Sequence, residues 1–184
     1  MNLNKKELEI KNLMENVFVP TLHGILQKAN PRAYRQWGGN ACRQTAIFGA
    51  AILRHLLPEY KWTVWDGDFS DIVKGRKVEY NHAWIHGVNK KERKGLLVDL
   101  SRLYHERLFL PVTQNKYPKK HPSYENMRLI RKKQMDIEEC LNEIEYYTEK
   151  EGRELLTTIV TEMTLRDGSI NRKANDIGLT NPPQ

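Results

Sequence analysis

Between residues 41 and 102 the hydrophobic period changes from 3.6 to 2, and this switch limits the possible folds more than any other feature of the chain. From Ala41 to Leu57 the residues are mostly strong helix formers with few charges, and Ile47, Ala50, Ala51, Leu53 and Leu57 form a broad apolar stripe. That width predicts a buried central helix. Gly38-Gly39-Asn40 reads as the turn before it, with Asn40 as the expected N-cap, and Pro58 stops it. Beyond it, segments 61–69, 78–88 and 95–102 read as strands. The polar, Lys/Gly-containing stretches 71–77 and 89–94 read as hairpin connections. A buried helix followed by an antiparallel meander is an α+β arrangement.

The flanking segments are expected to be helical. Residues 5–16 and 21–29 read as short amphipathic helices, with Leu8, Ile10, Leu13, Met14 and Val17 on one stripe and Pro20 and Pro31 as punctuation. Residues 103–122 carry Pro111, Pro118 and Pro122 and read as a loop. Two further helices are expected over about 123–150 and 151–166, separated near Gly152. The polar tail is expected to be weakly ordered. The organisation predicted is thus a catalytic domain over 1–122 that includes the N-terminal helices, a helical extension over 123–166 and a tail over 167–184.

Only two cysteines occur, Cys42 and Cys140, too few for a disulfide framework, and no Cys/His cluster has zinc spacing. In a reducing compartment Cys42 is a free thiol. Cys140, in a helical pattern, reads as packing. No apolar run reaches the roughly 20 residues of a membrane span, and the N-terminus lacks a signal-peptide core, so a cytoplasmic protein without membrane partners is expected. Net charge is +7, and Lys116, Lys119, Lys120, Arg128, Arg131, Lys132 and Lys133 lie close together. This stretch has no nucleic-acid-binding motif and reads as a solvated helix face.

Three residues carry chemistry in order. Cys42 falls in the first turn of the central helix, where unpaired backbone N–H groups and the helix dipole favour a thiolate and a developing oxyanion. His82 lies mid-strand, on one face with Tyr80, Trp84 and His86. Asp99 interrupts the apolar run Leu96-Leu97-Val98-Asp99-Leu100, and a buried carboxylate needs a partner that the neighbouring strand can supply. Taken singly, Cys42 reads as core, His82 as a satisfied core histidine, and Asp99 as a turn residue or a partner for Arg102. Asp66 and Asp68, in Trp65-Asp66-Gly67-Asp68, lack the remaining ligands of a calcium loop and read as a turn. His82 and His86, at i and i+4 in a strand, lie about 13 Å apart along the chain, too far to share a metal. No metal and no cofactor are expected.

A cysteine opening a buried helix, then a strand with His-Ala-Trp, then a strand with Val-Asp resembles the core signature of transglutaminase-like proteins of the papain-like superfamily. The resemblance covers about residues 36–102. It implies a papain-like core with the nucleophile helix packed on the meander and the C-terminal helices appended. It further implies that Cys42 attacks, His82 transfers the proton and Asp99 orients His82. Gln36, six positions before Cys42, matches the oxyanion-hole glutamine of papain-like proteases, and the indole of Trp37 matches an aromatic used by some transglutaminases. Asn81 and Trp84, flanking His82 closely, are candidate substrate contacts. The expected function is acyl transfer on an amide through a thioester, of peptidase, deamidase or transglutaminase type, with a protein or peptide as substrate. An inactive scaffold that binds a partner through its basic C-terminal region is the alternative. Acetyl transfer from coenzyme A ranks last, because no phosphate-cradling loop is evident.

Overall fold

A computed structural model describes residues 2–36, 38–101, 106–113 and 128–167. Its order is α1 (Lys5–Leu13), a π-helical turn (Met14–Phe18), α2 (Val19–Ala29), α3 (Pro31–Gln36), α4 (Cys42–Leu56), β1 (Lys61–Val73), β2 (Arg76–Asn89), β3 (Lys94–Asp99), β4 (Leu108–Thr113), β5 (Arg128–Met135), α5 (Ile137–Asn142), β6 (Ile144–Glu145), β7 (Lys150–Glu151) and α6 (Gly152–Arg166). The main sheet is antiparallel, in the order β4-β3-β2-β1-β5, and β6 pairs with β7 in a small hairpin. The architecture is α+β.

The central helix and the three-strand meander lie where the period switch puts them. β1 and β2 are joined by Lys74-Gly75 alone, both at positive φ (50° and 75°), the backbone of a type I′ hairpin turn. This tight turn lengthens both strands into the expected 71–77 connection. Alternation then separates two faces. Trp62, Val64, Ala83, Ile85, Leu96 and Val98 join α4 and the flanking helices in the main core, while Phe69, Trp84, Leu97 and Val112 form a second cluster with Trp65 and Tyr80 beside it. Opposite Trp62 on β2 stands Gly87, where an added Cβ would meet the indole ring at 2.5–2.8 Å. Trp62 cannot yield cheaply, because it is buried and its Nε1 donates to the Leu57 carbonyl at 3.1 Å. Gly87→Ala is therefore expected to cost about 1–3 kcal/mol, read as a lower urea midpoint. A loss below about 0.5 kcal/mol, the range of neutral surface changes, would show that the ring moves freely.

Several expectations need correction. The expected helix over 123–150 is a strand where it is described over 128–135, pairing antiparallel with β1 from Val64–Met135 to Ser70–Arg128. Its backbone pairs with the open edge of β1, a tertiary demand that local periodicity does not report. Among the described residues only α5 remains of that helix; α6 matches the expected 151–166. Pro20 does not break the N-terminal helix. It sits at the start of α2 directly after the π-helical turn, where an absent N–H costs little. Leu8 is exposed although Ile10 and Met14 are buried, because Leu8 and Ile10 stand about 200° apart around an α-helix and cannot share its buried face. Asp66 and Asp68 lie inside β1 rather than in a turn. The tail over 167–184 lies outside the described residues apart from Asp167, as does most of the expected loop over 103–122; within that loop, Leu108–Thr113 forms β4 despite Pro111, on the outer strand of the sheet.

Among the described residues no helix is long and apolar enough to cross a membrane.

Candidate active site

The site forms where β2 outruns its neighbour. The β2–β3 ladder runs only from Ile85–Val98 to Asn89–Lys94, so the part of β2 that carries Asn81 and His82 has no β3 partner. The first turn of α4 meets β2 in this stretch. Arg43 donates to Asn81 Oδ1 at 3.2 Å, and the Cys42 sulfur lies close enough to the His82 ring to favour its charged form. β3 ends at Asp99, and both of its carboxylate oxygens face His82 Nε2, at 2.9 and 3.0 Å. With Nε2 held by Asp99, Nδ1 is the ring nitrogen left for Cys42.

All three groups are almost out of water: Cys42 is 8% exposed, His82 4% and Asp99 2%. Burial by itself pulls the His82 pKa down. The adjacent Asp99 carboxylate, its hydrogen bond and the neighbouring Cys42 sulfur outweigh burial and push it up to about 10. A cation is therefore held between sulfur and carboxylate through neutral pH. Phe69, Tyr80 and Trp84 pack around the ring, with Trp84 stacked at 6.5 Å and 17°. This packing fixes the imidazole plane.

The helix start is also suited to a developing oxyanion. Asn40, the expected N-cap, does not cap α4; the cap position is Ala41, which makes no side-chain cap bond. The first helical bond is Thr45 N–H to the Ala41 carbonyl at 2.8 Å, so the amides of Cys42, Arg43 and Gln44 precede the hydrogen-bonded ladder. Asn40 Oδ1 is instead buried without a hydrogen-bond partner among the described residues, at the rim of a cleft of about 270 Å³ lined by Asn40, Cys42, Arg43, Gln44, Asn81 and Tyr147.

The remaining expected residues divide. Gln36 is exposed at the end of α3, with no contact to Cys42 among the described residues, and Trp37 lies outside them. Trp84 is buried against His82, a support for the ring more than a wall of the cleft. Asn81 does line the cleft, but as a member of a polar network: it donates to Asp66 Oδ1 at 2.6 Å and to Asp68 Oδ1 at 3.1 Å. Cys140 sits in α5 and packs partly against the core. Both cysteines are free, and no metal-ligating group of three residues occurs among the described residues.

No family model matches the chain, and neither a curated protein nor a solved structure is similar to it by direct comparison. The residues themselves must carry the functional reading. Sequence reasoning missed several of them. Tyr147 reaches the cleft from the β6–β7 hairpin, and Gln44 donates across to Glu145 of the same hairpin at 3.4 Å. Burial, with Glu143 nearby, raises the Glu145 carboxyl above its ordinary value. The one sequence signal for the polar network was the alternation Asp66-x-Asp68 in a strand, which puts both carboxylates on one face.

Proposed function

We propose that this protein is a cysteine-dependent acyl-transfer enzyme acting on an amide, built on a transglutaminase-like variant of the papain-like core. The observation that carries the reading is that one buried imidazole, held by both oxygens of Asp99, lies beside the Cys42 sulfur. The Cys42 thiolate adds to the amide carbonyl carbon, and the oxyanion rests on the free amides at the start of α4. As the tetrahedral intermediate collapses the C–N bond breaks, His82 gives its proton to the departing amine, and a thioester remains. Neutral His82 then takes a proton from water or an amine, which attacks the thioester and releases Cys42. Asp99 holds the ring orientation throughout. Free cysteines suit a reducing compartment, and we place the activity in the cytoplasm on a protein or peptide substrate.

Alkylation by iodoacetamide across pH, with the modified residue assigned by mass spectrometry, tests this reading. A free thiol with a pKa near about 8.5 is only on the order of 1% ionised at pH 6.5. Cys42 is expected to react about 100-fold faster than that at pH 6.5, and to lose the advantage in His82→Gln. Ordinary thiol reactivity in both proteins would sink the enzyme and favour a partner-binding scaffold.

A further inference from the structure

A second cavity, of about 330 Å³, adjoins the Cys42 cleft and shares Arg43 and Asn81 with it. Cys42 lines the first cleft alongside these two residues, so whatever enters the second cavity lies next to the Cys42 cleft. Its lining contains four cations, Arg43, Arg131, Lys132 and Lys133, against two carboxylates, Asp66 and Asp68.

The carboxylates serve to position cations. Asp66, 3% exposed, accepts from Arg43 Nε at 2.6 Å and from Asn81 at 2.6 Å, which uses both of its oxygens. Asp68 pairs with Arg131 Nε and also accepts from Asn81. Arg43 is thereby fixed on its inner side while its side chain stays 53% exposed, leaving outer guanidinium N–H groups toward the cavity. Lys133 stands directly across from Asp66 in the β1–β5 register, on the same face. Its natural partner is already engaged, and Lys133 has no ion pair among the described residues. Lys132 covers the Trp65 ring at 4.2 Å from its side of the strand. An oriented guanidinium fork beside an uncommitted ammonium is the arrangement that recognises a carboxylate.

We infer that this cavity is a substrate subsite for a carboxylate, so that the amide attacked by Cys42 lies next to an acidic side chain of a peptide. The inference rests on the acyl-transfer reading and adds the substrate class to it.

Two isosteric alkylators separate the two ideas: the α-carboxamides of N-bromoacetyl-glutamate and of N-bromoacetyl-glutamine. In each, the sulfur displaces bromide to form a thioether, and with the α-carboxyl blocked only the glutamate side chain carries a charge. The ratio of their second-order rate constants at Cys42, acid over amide, is expected to be about tenfold at low salt, the effect of one charge-assisted contact. Raising the salt should compress it. Lys133→Gln should pull the ratio toward one, while Lys28→Gln, the same charge change on α2, should leave it high. A parental ratio near one, a ratio unmoved in Lys133→Gln, or an equal fall in Lys28→Gln would overturn the subsite. Slow reaction of the neutral amide in the parent would instead count against acyl transfer, a separate readout that the ratio does not depend on.

Discussion

Alkylation of Cys42 at pH 6.5 is expected to slow by about 100-fold when Asp99 becomes Asn. The exchange preserves size and shape but removes the charge that faces His82 Nε2 through two oxygens. Burial is the largest single influence on His82 and acts to lower its pKa; the carboxylate is what reverses it. In D99N the imidazole becomes neutral near neutral pH, and the sulfur loses its cationic neighbour. An ordinary thiol is then the reference, with about 1% thiolate at pH 6.5. Turnover of an amide should fall further, on the order of 10⁴-fold, because an amide can also hold the wrong tautomer. Stability supplies an independent check. A histidine whose folded pKa exceeds its unfolded value of about 6.5 stabilises fully below 6.5, and the contribution is lost as pH rises through about 10. In a Cys42→Ala background, where no sulfur proton offsets that of the histidine, unfolding free energy should decline over that window and flatten once D99N is added. Parental alkylation in D99N would reduce Asp99 to a packing residue.

The second large effect lies far from the site. Lys94 and Glu7 form a buried ion pair that ties α1 to β3, with Lys94 7% and Glu7 1% exposed. Tyr60 donates to the other Glu7 oxygen at 2.6 Å, and Lys94 also donates to the Asn2 carbonyl at 3.2 Å. Burial alone would raise the Glu7 carboxyl; Lys94, Tyr60 and the Asn4 N–H overcome it and hold the group below its ordinary value. Lys94→Met strands that carboxylate and is expected to cost about 3–5 kcal/mol in denaturant unfolding. Adding Glu7→Gln removes the orphaned charge, keeps a side-chain acceptor for Tyr60 and should restore at least half of the loss. A single-variant cost below about 1 kcal/mol, the level of an exposed pair, would refute the pair as a structural tie. The same pair predicts acid sensitivity: a depressed carboxyl contributes stability above its unfolded value, and the contribution disappears as pH falls through the folded one.

What could be read in advance follows physical range. The α4 helix and the meander were legible because periodicity is local and strong, and the order Cys42, His82, Asp99 fell within that legible stretch. Asn40 misled because a good capping residue was weighed without its neighbours; the helix begins one residue later and leaves its side chain at the cleft rim. β5 was illegible because its basic residues fit a solvated helix as well as an edge strand, and only the open side of β1 decides. Tyr147 and Glu145 reach the cleft from more than 100 positions downstream, as the Gln44–Glu145 contact at a separation of 101 records. No local pattern encodes such an approach.

The strand order has a consequence for the chain during synthesis. β1 to β4 pair with sequential neighbours, and Cys42, His82 and Asp99 all precede β4, so these three residues can come together on the ribosome early. β5 alone crosses back to the far side of β1. Until residues 128–135 emerge, the long β1 strand presents an unpaired row of backbone donors and acceptors. The same late strand brings Arg131 and Lys133 to the second cavity. On the proposals above, a nascent chain thus acquires its nucleophile first and its selectivity last, with an adhesive edge exposed in between.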